Sequence, residues 1–319
     1  MSRSKPLAYQ SSKAVLEYLS FGKRLVFGLI SVVNFYFRKN LYAMCPAIRK
    51  MEENVPYHLE LVNLKLVPLS MTRDVSIMTI DSFEFSFLEY EGNKMFIDNL
   101  STEKRVDQLT SLKPEQAAEK FLLYHLSREG TRIKTVDLID GPEFISKCIP
   151  IAIKKLNVNR TAAWFPTNIP IENVEVDTTV REDTSLFWLK IAKHVTVRIP
   201  GPFAGRIHTE IVSEWNCESI RIESSMWSEE IADYSNKVSQ RTDRLIGSRL
   251  IARHSSPVQH LIDILHSKMN ARRTILNGRT CATISIDEST ELNVYGSTFF
   301  DLDVIVEVCA RGSAIDQVL

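Results

Sequence analysis

The feature that most restricts the fold is a change of period at Tyr57. From there on, apolar residues recur at about every second position in short runs: Leu59, Leu61 and Leu64, Val75 to Ile80, Phe83 to Phe87, Ile133 to Ile139, and His194 to Ile199. Such alternation puts successive side chains on opposite faces of an extended chain, so each run reads as a strand with one buried face. Lys154 to Val158, Ile207 to Val212 and Ser219 to Glu223 extend the series. Thr283 to Ile286, Glu291 to Tyr295 and Asp303 to Val308 close it as antiparallel strands with a turn near Gly296, and the tail Gly312-Ser313-Ala314 is expected to leave the fold.

Two helices interrupt the strands. Pro114 to Leu126 opens with proline and acids and closes near Gly130, the chemistry of a helix start and stop. Val258 to Met269 repeats its apolar residues at helical spacing, with Val258, Leu261, Ile262 and Leu265 on one face. The phrases Thr135-Val136-Asp137-Leu138, Lys155-Leu156-Asn157-Val158 and Ser219-Ile220-Arg221-Ile222 return at uneven intervals and suggest a leucine-rich-repeat-like curved sheet. Before Tyr57, Ser11 or Ser12 can cap a helix carrying Ala14, Val15, Tyr18 and Leu19, and Pro46 can open a second short one. The expected architecture is α+β: a helical head over 1–54 with an apolar insert at 25–37, then a β-rich body with interspersed helices over 55–319.

A chain of 319 residues with 44% apolar content can bury a sizeable core. Its 39 Lys and Arg balance 39 Asp and Glu, which removes any general attraction to nucleic acid or anionic lipid. The five cysteines, Cys45, Cys148, Cys217, Cys281 and Cys309, are scattered without a C-x-x-C pair and read as small buried hydrophobes in a reducing compartment. The opening Met1-Ser2-Arg3-Ser4-Lys5-Pro6 does not run into the apolar core of a signal peptide. Leu25 to Phe37 is the one candidate membrane segment, and as a helix it would reach about 20 Å, short of the roughly 30 Å hydrocarbon core. The expectations are a cytoplasmic chain with neither nucleic acid nor membrane as partner.

Chemistry-bearing residues do not gather into a recognisable site, and no catalytic, cofactor-binding or metal residues are assigned. His254, His260 and His266 are spaced by six, which on a helix scatters them over different faces, so they read as helix-surface histidines. His208-Thr209-Glu210 lacks the cysteine pair of a zinc deaminase. Ser224-Ser225 and Ser255-Ser256 lack the glycines of a nucleophile elbow, and Gly201 to Arg206 lacks the grammar of a phosphate loop. Asp301, Asp303 and Asp316 read as solvated strand edges. Lys237, Arg241 and Arg244 share one side at helical spacing, a solvated basic face joined by Arg249 and Arg253. Trp164, Trp188, Trp215 and Trp227 serve the core unless one is exposed, where it becomes an interaction hot spot.

The residues Pro6-Leu7-Ala8-Tyr9-Gln10-Ser11-Ser12-Lys13-Ala14-Val15-Leu16-Glu17-Tyr18-Leu19, Lys23-Arg24, Cys45-Pro46-Ala47-Ile48-Arg49-Lys50 and Val55-Pro56-Tyr57-His58-Leu59 resemble a nematode-expanded family with a domain of unknown function, related to the F-box C proteins. The stretch from Thr290 to Tyr295, and on through Ala310 to Ala314, is similar to the close of such proteins. The resemblance implies an F-box-like head that docks a ubiquitin-ligase core and a body that binds a target. It implies a non-enzymatic protein-interaction module, a substrate adaptor in ubiquitin-linked turnover, and brings no catalytic residues. The usual Leu-Pro opening stands here as Pro6-Leu7 and no Trp follows Arg49, so the head reads as degenerate. The alternatives are a binding protein that has lost ligase docking, or an enzyme of unrecognised kind. In relatives Lys-Arg runs quickly into Cys-Pro, whereas here residues 25–37 intervene; Phe35-Tyr36-Phe37-Arg38 can be encoded with a TTTCAG intron acceptor, so the insert reads as translated intron or a gene-model error.

Overall fold

Alternating burial along the strands organises the structure, a computed structural model that describes residues 56–70, 73–89, 93–100, 103–126, 129–139, 152–159, 171–177, 189–190, 192–199, 209–297 and 303–317. The chain divides into two units, one of residues 1–156 with 164–169 and one of residues 157–163 with 170–319, the first boundary falling within a strand.

In the first unit, β1 (His58–Ser70) begins an antiparallel meander through β2 (Arg73–Ile80), β3 (Phe83–Glu89), β4 (Asn93–Asn99) and β5 (Lys104–Leu109). The helix α1 (Pro114–Leu126) then carries the chain back to β6 (Arg132–Ile139), which lies parallel to β1. A parallel pair requires such a crossover because a tight turn can only reverse direction. Ala118, Leu122 and Leu126 of the helix are buried with Met78, Ile80, Phe85 and Phe87, and the Phe121 ring packs 4.4 Å from Phe85 and 6.0 Å from Phe87 between centroids. The β2–β3 turn holds Asp81 at φ 52, a conformation an L residue adopts at a cost. Asp81 Oδ1 offsets it by accepting from the backbone N–H groups of Glu60 at 2.9 Å and Leu61 at 3.1 Å.

The division between units lies in β7 (Ala152–Asn159). In the second unit, β8 (Asn173–Asp177), β9 (His194–Arg198), β10 (Ser219–Met226) and β11 (Arg249–His254) run parallel. The short α2 (Thr209–Val212) precedes β10, α3 (Ser228–Ser239) precedes β11, and α4 (Val258–Met269) follows it. The remaining strands are β12 (Arg272–Leu276), β13 (Arg279–Ser285), β14 (Thr290–Gly296), β15 (Asp303–Ala310) and β16 (Ile315–Asp316). β15 joins β11 antiparallel, and β14, β13, β12 and β16 follow outward in that order, each antiparallel to its neighbour.

Helices α3 and α4 pack on one face of the second unit's strands, α4 against β12, β13 and β14 and α3 against β14. α3 buries Ile231, Tyr234 and Val238, and α4 buries Leu261, Ile262 and Leu265, each such side chain contributing about 1.5–3 kcal/mol. A Cβ on Gly296 would meet Val258 Cγ2 at 3.3 Å, so the first turn of α4 lies against the face that Gly296 shares with Leu292 and Val294. The other face of β14 carries Glu291, Asn293 and Tyr295.

Several expectations are corrected. Strands dominate the described residues, so the α+β class is replaced by a mostly β architecture; the F-box-like helical head over 1–54, with its insert at 25–37, lies outside the described residues. The leucine-rich-repeat-like curved sheet also gives way: antiparallel ladders from β1 to β5 and from β11 through β15 to β12 make up much of both units, which stacking of one strand type would not produce. Ile207 to Val212 alternates like a strand, yet Thr209–Val212 is a turn of helix. The tail does not leave the fold: Ile315 and Asp316 pair with Ile275 and Thr274, adding a strand to an otherwise open edge.

Candidate interaction surface

The face of the second unit's strands opposite the helices is a graded surface. Register sets its central row: Glu175 on β8 lies beside Thr196, Thr196 beside Arg221, Arg221 beside Ile251, Ile251 beside Ile305, and Ile305 beside Tyr295. A second row runs Asn173, His194, Ser219, Arg249 and Glu307. Their intervening neighbours Val174, Val195, Ile220, Leu250 and Val306 are buried on the opposite face, whereas Arg221 and Arg249 are exposed and Thr196, Ile251, Ile305 and Glu307 are half-buried.

Toward β12 the same face is sealed. The chain returning from β15 to β16 crosses it, and the fully buried Glu291 carboxylate accepts from the backbone N–H of Ala314 at 3.0 Å and of Gly312 at 3.2 Å. Beneath it the Thr274 and Thr283 hydroxyls lie 2.6 Å apart, and Thr283 donates to Asn293 Oδ1 at 2.6 Å. Leu276, Cys281, Tyr295 and Ala314 cluster there, with Ile305 packed on their margin. From β15 to β8 the face opens.

Charge on the open part is mixed. Arg198 bridges Glu223 at 2.7 Å and Glu175 at 3.0 Å, and the Glu223 carboxylate raises its pKa. Tyr295 donates to Glu307 at 2.5 Å, and burial, then that carboxylate, push the phenol's pKa up. Arg221, Arg249 and Arg253 are exposed and make no ion pair among the described residues, although Glu307 lies opposite Arg249 and Asp303 opposite Arg253 across the β11–β15 ladder. Exposed pairs of this kind are worth at most about 1 kcal/mol, so these guanidinium groups remain available.

The histidines do not converge. His254 is not on a helix surface: it ends β11, is 1% exposed, and its Nε2 lies 2.9 Å from Ser228 Oγ in the first turn of α3. His260 and His266 lie exposed on α4, where the His266 Nδ1–H donates to the Ala271 carbonyl at 2.8 Å. Among the described residues no three metal-ligating side chains gather. A Ser–His pair is the start of a nucleophile–base arrangement, but burial keeps substrate from both groups, and the pair instead ties α3 to the end of β11.

Burial lowers the His254 pKa, with the Ser256 backbone opposing and His260 adding to the decrease. The native state then holds this ring neutral while the unfolded chain takes up a proton below about pH 6.5. Stability contributed by the neutral ring is fully present above that value and is lost as pH falls toward the lowered native pKa. Denaturant unfolding should therefore show a loss from about pH 7.5 to about pH 5.5 that is smaller in His254→Gln.

The basic stretch is corrected as well. α3 ends at Ser239, so Arg241 and Arg244 lie beyond it and not on a solvated helix face with Lys237. Arg241 Nη1 and Arg244 Nη2 each donate to the Ser213 carbonyl at 2.6 Å, and Arg241 also reaches Asn216 Oδ1 at 2.7 Å. They cap the end of α2. Arg249 and Arg253 belong to the open face, an assignment that spacing along the chain does not reveal.

Trp215 is fully buried, while Trp227 is 59% exposed at the mouth of α3, where its backbone N–H donates to Glu230 Oε2 at 2.8 Å. Cys217 and Cys281 are buried and Cys309 half-buried; burial pushes the Cys217 thiol up to about 12. Ser224 accepts from the Ile199 N–H, and Ser255 donates to the Met226 carbonyl. Asp303 lies on β15 and Asp316 on β16, the latter 2.7 Å from Arg272. Cys45, Cys148, Trp164, Trp188, Gly201 to Arg206, His208 and Asp301 lie outside the described residues.

Sequence reasoning missed Arg221, Ile251 and Ile305 as a group. Alternation already put Arg221 between two buried isoleucines, but the adjacency of β10, β11 and β15 is set by crossovers. No protein-family model, curated protein or solved structure matches the chain. Among the described residues no helix is long and apolar enough to cross a membrane.

Proposed function

We propose that this chain is a non-enzymatic protein-interaction module and that the open sheet face of its second unit receives the partner. The observation that carries this reading is the row from Thr196 through Arg221 and Ile251 to Ile305, in which polar, charged and apolar groups lie exposed or half-buried on a hydrogen-bonded ladder whose opposite-face neighbours are buried. Arginine and apolar side chains on preorganised backbone suit recognition, because little conformational freedom is lost on binding. The exposed Trp227 lies beyond the ends of the parallel strands as a second anchor.

The finer reading is a cytoplasmic substrate adaptor in ubiquitin-linked turnover, supported by the resemblance of residues 6–19, 45–50 and 55–59 to F-box C relatives. Affinity capture with quantitative mass spectrometry, comparing the full chain with a version lacking residues 25–37, tests it. Recovery of a ubiquitin-ligase core is expected with the shortened version. Absence of the core from both captures overturns the adaptor reading and favours a binding protein that has lost docking, the outcome the order Pro6-Leu7 suggests.

A further inference from the structure

On the open face, Ile251 occupies a particular setting. It is half-buried at the middle of β11, with Arg249 and Arg253 two residues to either side on the same face, roughly 7 Å away along the strand. Arg221 lies beside it on β10 and Ile305 on β15, each about 5 Å away. Two neighbouring isoleucines thus form an apolar spot with exposed guanidinium groups on three sides, none in an ion pair among the described residues. The fourth side is closed by Tyr295, whose hydroxyl is engaged by Glu307 and whose ring lies 5.5 Å from the Arg279 guanidinium carbon.

We infer that this spot binds an acidic peptide segment, seating one apolar side chain on Ile251 and Ile305 while flanking carboxylates meet Arg221, Arg249 and Arg253. The inference rests on the interaction reading above and adds the chemistry of the partner. Charge complementarity decides the class. A guanidinium takes a carboxylate through two parallel N–H···O bonds, and three of them around an apolar centre match a hydrophobic residue bracketed by Asp or Glu. A nucleic-acid backbone fits less well. Glu223, Asp303 and Glu307 share the face, Glu223 held by Arg198 and Glu307 by the Tyr295 hydroxyl; a short peptide can set its few carboxylates on the arginines between them, whereas a continuous line of phosphates would have to cross them.

The experiment is fluorescence anisotropy on the full chain with three labelled probes: a peptide of about ten residues alternating Glu pairs with single Leu, the same peptide with Ser for Leu, and the same peptide with Lys for Glu. A polyuridine strand of similar charge is the fourth probe. The Glu–Leu peptide should bind, weaken as NaCl rises from about 50 to about 300 mM, and exceed the Ser and Lys versions. Arg221→Glu and Arg249→Glu should each weaken it roughly tenfold and Ile251→Ser at least as much. Arg273→Glu, on the opposite face beside α4, should leave it unchanged, and circular dichroism confirms that each variant is folded.

Absence of binding by the Glu–Leu peptide, or binding that ignores Arg221→Glu and Ile251→Ser, overturns the inference. Polyuridine bound more tightly, and lost with the same variants, makes the face a phosphate site and overturns it too. Capture of a ligase core by a chain that ignores the acidic peptide removes this partner chemistry and leaves the adaptor reading standing. Peptide binding without a core does the reverse.

Discussion

Replacing Trp215 by alanine should destabilise the second unit by about 3–5 kcal/mol, a shift read from denaturant midpoints by circular dichroism. The indole is fully buried where the chain leaves α2, and its removal opens a cavity that two neighbouring constraints keep from collapsing. The Trp215 backbone N–H donates to the Val212 carbonyl at 3.2 Å, and the adjacent Ser213 carbonyl is held by both Arg241 and Arg244. On the other side the Asn216 N–H donates to the Lys190 carbonyl at 3.3 Å and its Oδ1 accepts from Arg241 at 2.7 Å, so the backbone is held on either side of the void and relaxation recovers little. Trp215→Phe should lose much less, since it refills most of the volume and removes an indole N–H that finds no acceptor among the described residues. Equal losses in the two variants would show that the ring's volume is not what matters.

The second large effect is expected at Glu291. Its carboxylate is fully buried and accepts two backbone N–H groups from the chain that returns toward β16, with Arg272 Nη2 at 3.5 Å. Glu291→Ala leaves those donors without their acceptor, at about 1–3 kcal/mol for each one that stays buried, so a total near 3 kcal/mol is expected. Glu291→Gln keeps one acceptor oxygen and should cost roughly half. Hydrogen exchange distinguishes this from general loosening: the Ala314 amide and those paired through β16 should exchange much faster, while amides in the β13–β14 ladder change little. Uniform acceleration across β12 to β15 would show that Glu291 supports the whole meander and not the returning segment alone.

Both residues show how far the chain was readable. α1 and α4 are visible as periodic apolar stripes with proline or acids at their starts, and β2, β3, β9 and β15 as clean alternation. α3 escaped because its stripe of Ile231, Tyr234 and Val238 is short and embedded among polar residues. The hairpin between β12 and β13 carries a strong local signal. Asn277 at φ 51 and Gly278 at φ 79 make a two-residue turn that Asn-Gly adopts more readily than almost any other pair. The alternating Ile207 to Val212 misled because a single helical turn is too short for any period to register.

The candidate surface was legible only in its parts. Arg221, Ile251 and Ile305 stand at outward positions of their strands, and local alternation is enough to place them there. Their meeting is another matter. Residues 30 and 54 positions apart in sequence become neighbours through the parallel pairing of β10 with β11 and the antiparallel pairing of β11 with β15. Likewise Arg241 and Arg244 lie near Arg249 and Arg253 in the chain but serve a buried carbonyl instead of an open face.

Periodicity, turn residues and capping chemistry therefore specify which segments are strands or helices and which side of each is apolar, because those choices depend on contacts within a few residues. The order of strands, the covering of one face by helices and the sealing of β12 to β14 by a returning segment depend on long-range pairing, whose energy comes from surfaces brought together only once the chain has closed its loops. An arginine at an outward position is the same residue in either case; whether it caps a carbonyl or faces a partner is settled by what the fold places beside it.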